Sequence, residues 1–344
     1  MKNKVAAICY AFVAALFYAV NVPCSKLLLE KVSPTFMAAF LYIGAGIGVG
    51  IMYLFHARKE RPEEKLNRKD MPYTIGMVLL DIIAPILLMF GVSTGTSANS
   101  SLLGNFEIVA TTIIALVIFK EKVSRKLWIA IGFITLSSIL LSFNASGSLK
   151  FSFGSLFVLG ATTCWGFENN CTRSISEKST YQIVTIKGFF SGIGSLLVAF
   201  ATGENFPEIN YIPFALLLGF VSYGLSIFTY IRAQKTLGAA KTSAYYAVAP
   251  FIGAFLSFIL LHESLTSTYI IALLIMIIGT VFIVIDTLSH SHIHEHTHTF
   301  TYTHNGSTHT HTIVHSHKHN HYISNDKHGH KHSMQELENF LVHH

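Results

Sequence analysis

Two groups of residues in this sequence have types and spacing suited to chemistry. The first is a run of histidine: 17 of the 19 histidines in the 344-residue chain lie in residues 290 to 344. They alternate as H-x-H through His290, His292, His294, His296 and His298, through His309 and His311, through His315, His317, His319 and His321, and through His328, His330 and His332. Neutral imidazole is a common ligand for Zn, Ni, Co and Cu, and two histidines at i, i+2 on an extended chain reach one ion. Metal affinity follows from that composition. A buffering or sensing role and a polar low-complexity extension both remain readings of it. The second group is four charged residues set in apolar stretches, Asp81, Glu107, Glu168 and Lys187. A carboxylate at a bilayer centre costs roughly 2.5 to 3.5 kcal/mol on insertion scales, so each one needs a partner, a wet cavity or a proton.

Those four residues are intramembrane because of the elements that carry them. The chain is 51% hydrophobic and 12% charged, against about 25% charged in soluble domains, which excludes a soluble globular enzyme. A hydrocarbon core of about 30 Å takes about 20 apolar residues per helix. Ten runs of about that length occur, near Val5 to Leu28, Thr35 to Phe55, Tyr73 to Val92, Ser97 to Phe119, Leu127 to Phe143, Gly154 to Cys171, Tyr181 to Thr202, Tyr211 to Ile231, Thr242 to Leu261 and Tyr269 to Asp286. With the N-terminus in the cytoplasm, 17 Lys and Arg fall on the cytoplasmic side and three, Lys26, Lys31 and Lys150, on the other. The positive-inside rule therefore predicts a multi-pass protein of the cell (plasma or inner) membrane with both termini cytoplasmic. The net charge of +6 is accounted for by topology, and nucleic acid is not an expected partner. The first run is too long for a signal peptide and leads into nine more, so it reads as a retained helix. The four cysteines lack C-x-x-C spacing and read as small apolar residues.

Depth separates the charged residues. Asp81 lies about eight residues from the cytoplasmic end of its run and Glu107 about twelve from its own, which places both about 12 to 18 Å in, near the midplane. There either one accepts a proton or binds a cationic group, or serves as a structural carboxylate bonded to Asn99, Asn105 or Thr94. Glu168 and Lys187 have matched depths closer to the cytoplasm, which predicts a salt bridge between adjacent helices, with a switchable gate as the sharper reading. Asn21, Trp165, Asn169, Tyr245 and Tyr246 are candidates for a substrate path, weighed against interhelical packing. Gly44, Gly46, Gly48 and Gly50, and Gly188, Gly192 and Gly194, suit close helix packing. No run carries a Ser/His, Cys/His or H-E-x-x-H arrangement, so an enzyme is not expected.

The halves of the chain repeat. Phe17-Tyr18-Ala19 and Ser25-Lys26 correspond to Cys164-Trp165-Gly166 and Thr172-Arg173, and Phe119 to Ser124 corresponds to Leu261 to Thr266. Each half holds five runs, and an odd repeat must insert with opposite topology in its two copies. In these features the sequence resembles the drug/metabolite transporter superfamily, EamA type: a small-residue entry with an aromatic in each half, the Ser/Thr/Ala-rich starts at Ser97 to Ser101 and Ala239 to Ser243, Pro250, and the glutamates Glu121 and Glu263. Where the second copy has Ala249-Pro250 the first has Glu107-Ile108, a departure from the usual Pro. The resemblance implies an all-α integral membrane fold of ten transmembrane helices in two inverted-topology repeats, residues 1–146 and 147–289, while the composition of residues 290–344 predicts a disordered His-rich tail with a short helix at Met334 to Val342. It also implies a secondary transporter, without a required cofactor, moving a small organic metabolite or drug by alternating access, with proton coupling as one form. The tail raises an alternative, a Ni, Co or Zn transporter or a metal-responsive membrane protein. The scarcity of histidine within the spans, where only His56 and His262 stand at span ends, argues against a tight metal site there.

Overall fold

The computed structural model describes residues 2–57, 60–119, 124–143, 152–237, 242, 245–264, 266–288, 290–304 and 307–321. The chain divides into two compact units, residues 1–286 and 287–344. The first apolar run forms α1 (Lys2–Ala19) and α2 (Asn21–Leu28). Pro23 has no N–H to offer the carbonyl of Ala19, and the helix is interrupted at the intervening Val20. Next come α3 (Pro34–His56) and α4 (Met71–Thr94). The run expected to be continuous from Ser97 to Phe119 is instead two helices, α5 (Ser97–Leu103) and α6 (Phe106–Phe119). Gly104 and Asn105 separate them, a glycine, which loses the most backbone freedom in a helix, beside an asparagine of modest helix propensity. Then follow α7 (Arg125–Ser142) and α8 (Phe153–Ile175), the latter longer at both ends than the expected Gly154 to Cys171.

Two runs contain a π turn. α9 (Thr180–Ile186) passes into α10 (Gly192–Ala201) through Lys187–Ser191, and α11 (Ile212–Gly219) passes into α12 (Ser226–Leu237) through Phe220–Leu225. α13 (Ala249–Leu261) and α14 (Ser267–Leu288) follow. Seven described runs are long and apolar enough to cross a membrane: Val5–Leu28, Pro34–His56, Pro62–Thr94, Arg125–Ser142, Thr180–Ala201, Ile209–Leu237 and Ser267–Asp286. The other three expected spans depart from that standard for separate reasons. α5 and α6 are interrupted, α8 carries Thr162, Thr163, Glu168, Asn169 and Asn170, and only Ala249–Leu261 is described as an apolar helix of the ninth. Large apolar side chains such as Leu54, Phe55, Val117 and Leu197 are exposed on the outside of the unit, a surface suited to acyl chains.

Packing crosses between the halves. α1 lies against α12 and α13, while α8 lies against α4 and α6. α3 packs against α9, α10, α11 and both π turns, and the Ser137 hydroxyl donates to the Ala272 carbonyl at 2.6 Å, joining α7 to α14. Glycine makes the α3 contacts this close. A Cβ on Gly44 would overlap the Leu216 carbonyl, and one on Gly188 would overlap the Gly46 backbone while lying 2.9 Å from the Tyr42 carbonyl oxygen. Side chains cap the helix ends. Lys26 Nζ donates to the carbonyls of Val92 (2.7 Å), Ser93 (3.1 Å) and Gly95 (2.8 Å) at the close of α4. Glu263 accepts from the amides of Ser97 (2.6 Å) and Ala98 (2.8 Å) at the start of α5. Glu204 likewise accepts from the amides of Thr35 and Phe36 at the start of α3. Each charge has the sign that its helix end favours.

Residues His290–His304 and Ser307–His321 form an antiparallel ribbon, β1 and β2, with His290 opposite His321 and His304 opposite Ser307. Histidine alternating with Thr, Ile and Val is a period-two pattern rich in β-branched residues, which explains the strands. His328, His330 and His332, and a helix expected at Met334 to Val342, lie outside the described residues.

Backbone contact at Gly188 yields a direct test. Gly188→Leu should abolish recovery of monodisperse, membrane-inserted protein, measured by size exclusion in detergent. Gly132→Leu, where a Cβ meets nothing within 4 Å, should leave it unchanged.

Candidate functional site

Three of the intramembrane charges form one cluster. Lys187 Nζ stands 2.8 Å from Glu168 Oε1 and 3.0 Å from Asp81 Oδ2. Tyr42 Oη donates to the other Asp81 oxygen at 2.8 Å, and Thr172 Oγ1 donates to Glu168. Asp81 is 0% exposed, Glu168 3% and Lys187 4%. The Glu168–Lys187 contact joins α8 to the π turn between α9 and α10, as their matched depths imply. Asp81 was assigned a separate, deeper position, and the structure brings it into the same cluster. The reason lies in the helix ends. α8 runs on to Ile175 and α9 starts at Thr180, so Glu168 and Lys187 are each about 10 Å from an end, against about 15 Å for Asp81 from Met71. Two carboxylates on one ammonium leave one negative charge in excess. Enclosed among helices, the cluster is neutral only when it also holds a proton or a second cation.

Glu107 stands apart and is half-buried. It lies in the first turn of α6 after the break at Gly104–Asn105, and Asn169 on α8 donates to it at 2.6 Å and to Thr111 Oγ1 at 3.3 Å. A carboxylate from one half of the chain thus meets an amide from the other. None of the expected alternatives is its partner. The Thr94 hydroxyl bonds the Phe90 carbonyl, and both polar atoms of the Asn105 side chain are buried without a hydrogen bond.

A group of tyrosines extends from Tyr42 at the charge cluster, and sequence reasoning missed most of them. Tyr42 and Tyr223 have ring centroids 4.9 Å apart, Tyr18 lies 6.0 Å from Tyr223 and 5.9 Å from Tyr246, and Tyr230 lies 5.1 Å from Tyr246. Asn21, buried at the start of α2, donates to Tyr223 Oη at 3.1 Å and accepts from Ser25 at 3.2 Å. Tyr223 belongs to the second π turn as Lys187 belongs to the first. π turns commonly re-aim side chains at functional sites. No pattern in the sequence marks a π turn, and Tyr42 sits in a span whose only conspicuous feature is glycine. Trp165 is buried beside a small cavity of about 20 Å³ that Tyr18, Val22, Ser101, Thr162 and Pro250 also line. Tyr245 is elsewhere: its ring lies 5.6 Å from Phe12, an exposed residue of α1.

The histidines of the tail occupy the second unit, where the strands carry His290, His292, His294, His296, His298, His315, His317, His319 and His321. Among the described residues of the membrane unit, no three His, Cys, Asp or Glu side chains stand close enough to hold a metal ion.

Charge balance in the cluster predicts a stability pattern. Lys187→Met leaves two enclosed carboxylates without a cation and should cost about 3 to 5 kcal/mol, the range for breaking a buried pair. Adding Asp81→Asn and Glu168→Gln should restore most of the loss. Thermal unfolding in detergent reads both outcomes.

Comparison with known proteins agrees with this architecture. The EamA-like transporter family matches twice, over residues 5–143 and 152–285. A protein of Methanothermobacter thermautotrophicus (strain Delta H) described as an uncharacterized transporter is 26% identical over 284 residues, covering 77% of this chain and 82% of that one. The uncharacterized transporter YyaM of Bacillus subtilis (strain 168) is 22% identical over 236 residues, covering 66% of this chain and 76% of that one. A crystal structure of a protein at 14% identity superposes with a TM-score of 0.61, covering 80% of this chain and 94% of that chain, which establishes similarity of fold. With the two family matches together spanning most of its length, the chain belongs to the EamA-like transporter family.

Proposed function

We propose that this multi-pass transporter moves a small organic metabolite or drug by alternating access, driven by protons. In this reading ten helices span the membrane as two five-helix repeats of opposite topology, residues 1–146 and 147–289, with both termini cytoplasmic. The packing supports the repeat. α1 on α12 and α13, and α8 on α4 and α6, are relations that exchange under a two-fold operation, as inverted repeats require. The seven long apolar runs leave the broken α5–α6, the polar α8 and α13 as the remaining spans, and interrupted or polar spans are where such carriers hold substrate.

In this reading substrate binds between the halves and draws on the Glu107–Asn169 pair, on Tyr18 and Trp165 beside the small cavity, and on the Asn21–Tyr223 pair. Glu107 supplies a carboxylate for a cationic or hydrogen-bonding group, Asn169 an amide, and the aromatic rings apolar faces with polar tips. Ligand pockets usually need about 300 to 1,000 Å³, and the cavity beside Trp165 holds about 20 Å³. The α1, α2 and α13 walls must therefore part from α5 and α8 for a metabolite to enter, which is the motion alternating access supplies.

The observation that carries proton coupling is the two-to-one ratio of carboxylate to ammonium at Asp81, Glu168 and Lys187. One proton balances the cluster. Its release leaves Lys187 shared between two anions, and Tyr42 and Tyr223 transmit that change toward Asn21 and Glu107. The ion pair thus acts as a switch between bodies of the protein, and Asp81 as the deepest proton acceptor.

The test is flux in proteoliposomes under an imposed pH gradient, with labelled amines, amino acids, other metabolite pools and drugs. Wild-type protein should accumulate at least one class. Glu107→Gln should insert normally and lose flux by at least tenfold, and normal flux by that variant refutes its assignment. Asp81→Asn should retain exchange of preloaded substrate while losing gradient-driven accumulation. Wild-type accumulation indifferent to the gradient refutes the coupling.

A further inference from the structure

Arg232 on α12 is exposed, yet its guanidinium is closely placed. It lies over the Phe228 ring at 4.6 Å and over the Tyr181 ring at 5.8 Å, and Nη2 donates to Tyr181 Oη at 3.2 Å. The Tyr181 ring is itself packed, with Phe228 at 4.7 Å and a stacked His56 at 4.6 Å. Lys235 lies about one turn further along α12, is also exposed, and donates to the Lys178 carbonyl at 3.1 Å. Both cations of α12 therefore reach the Lys178–Tyr181 segment. Among the described residues no carboxylate pairs with either of them. Lys178, by contrast, faces Asp70 at 3.8 Å, and Glu60 accepts from Tyr53 and Gln182.

Depth gives these two cations a partner of definite chemistry. The run Ile209–Leu237 has 29 residues, about 43 Å of helix, close to the roughly 40 to 45 Å of a bilayer with its headgroup zones. Arg232 precedes Leu237, the end of α12, by five residues, which puts it about 7 Å in, at the level of lipid headgroups. A guanidinium fork matches phosphate oxygens bidentately, and the bond to Tyr181 leaves its other donors available. Rings that already hold the fork reduce the side-chain entropy lost on binding. On the turn of α3 that carries His56, Leu54 and Phe55 are 74% and 83% exposed, an apolar surface beside which acyl chains can lie. Orientation in the membrane requires only a positive charge near this end, not one fixed over two rings.

We propose that Arg232 and Lys235 form a headgroup site for an anionic phospholipid, whose phosphate is held by the guanidinium fork and the neighbouring ammonium. The occupant is a lipid because the pair lies in the headgroup zone next to exposed apolar side chains, where a phosphate arrives attached to acyl chains. The assignment requires only that the Ile209–Leu237 run spans the membrane. It is independent of the substrate, of the coupling of transport and of which leaflet this end meets.

The test counts lipids on the full chain by native mass spectrometry from detergent, titrated with dioleoyl phosphatidylglycerol, dioleoyl phosphatidylcholine or inorganic phosphate. Wild-type protein should hold phosphatidylglycerol about tenfold more tightly than phosphatidylcholine, and excess inorganic phosphate should not displace it. Arg232→Gln with Lys235→Gln should remove that preference. Lys65→Gln with Lys69→Gln, which takes the same charge from exposed residues between α3 and α4, should keep it. Equal loss in both double variants overturns the site in favour of general attraction to a basic surface. An absence of preference in wild-type protein overturns it outright, and displacement by inorganic phosphate overturns the lipid as occupant. Arg232→Lys serves as a further variant should the double substitution yield no monodisperse protein. It keeps the charge without the fork and should bind phosphatidylglycerol severalfold more weakly, and wild-type affinity in that variant refutes the role of the guanidinium.

Discussion

An ammonium held between two carboxylates inside a helical bundle sets demanding terms for everything around it. Removing each ion from water costs several kcal/mol after relaxation, and the attraction among them offsets that only at hydrogen-bond distance with the remaining lone pairs occupied. Asp81 and Glu168 meet those terms through Lys187, with Tyr42 and Thr172 as further donors. Tyr42 lies on α3, and α3 can approach the helix of Lys187 because glycine meets glycine, Gly46 against Gly188. The first π turn begins at Lys187. The glycines, the turn and the tyrosine are thus parts of one requirement, that Lys187 on the α9–α10 run come within 3.0 Å of one carboxylate on α4 and 2.8 Å of another on α8.

The same requirement explains what could and could not be read from the residues. Spans such as Pro34–His56 and Ser267–Asp286 are legible because burial in lipid demands long apolar runs. The contact of Glu168 with Lys187 is legible because depth is encoded in residue counts. Asp81 was misplaced relative to them because that count depends on helix ends, and α8 extends four residues past the expected Cys171 to Ile175. The break at Gly104–Asn105 leaves only a weak local signal, since isolated glycines are common in membrane helices. Tyr223 and Asn21 are 202 residues apart in the chain, and no local pattern reports such a pair. Tyr245 and Tyr246 are neighbours in sequence, yet a helix turns successive residues about 100° apart. One meets the exposed Phe12 and the other the tyrosine cluster.

In the tail the period of two was visible, and its consequence was not. Alternation fixes which residues share a face, but the register that sets histidine against histidine depends on where the chain reverses, between His304 and Ser307. A reversal displaced by one residue would place the histidines of the two strands on opposite faces.

The stretch from Val92 to Ala98 has one further property. Lys26 gathers three carbonyls at its beginning and Glu263 gathers two amides at its end, so a short length of backbone lies clasped between a cation from α2 and an anion that follows α13. All five bonds fall within about two helical turns of chain, and loosening any one leaves its charge with fewer donors or acceptors while the neighbours are still held. Lys26 and Glu263 therefore tie α4 and α5 to α2 and to the end of α13 through one short stretch of backbone, with opposite charges at its two ends.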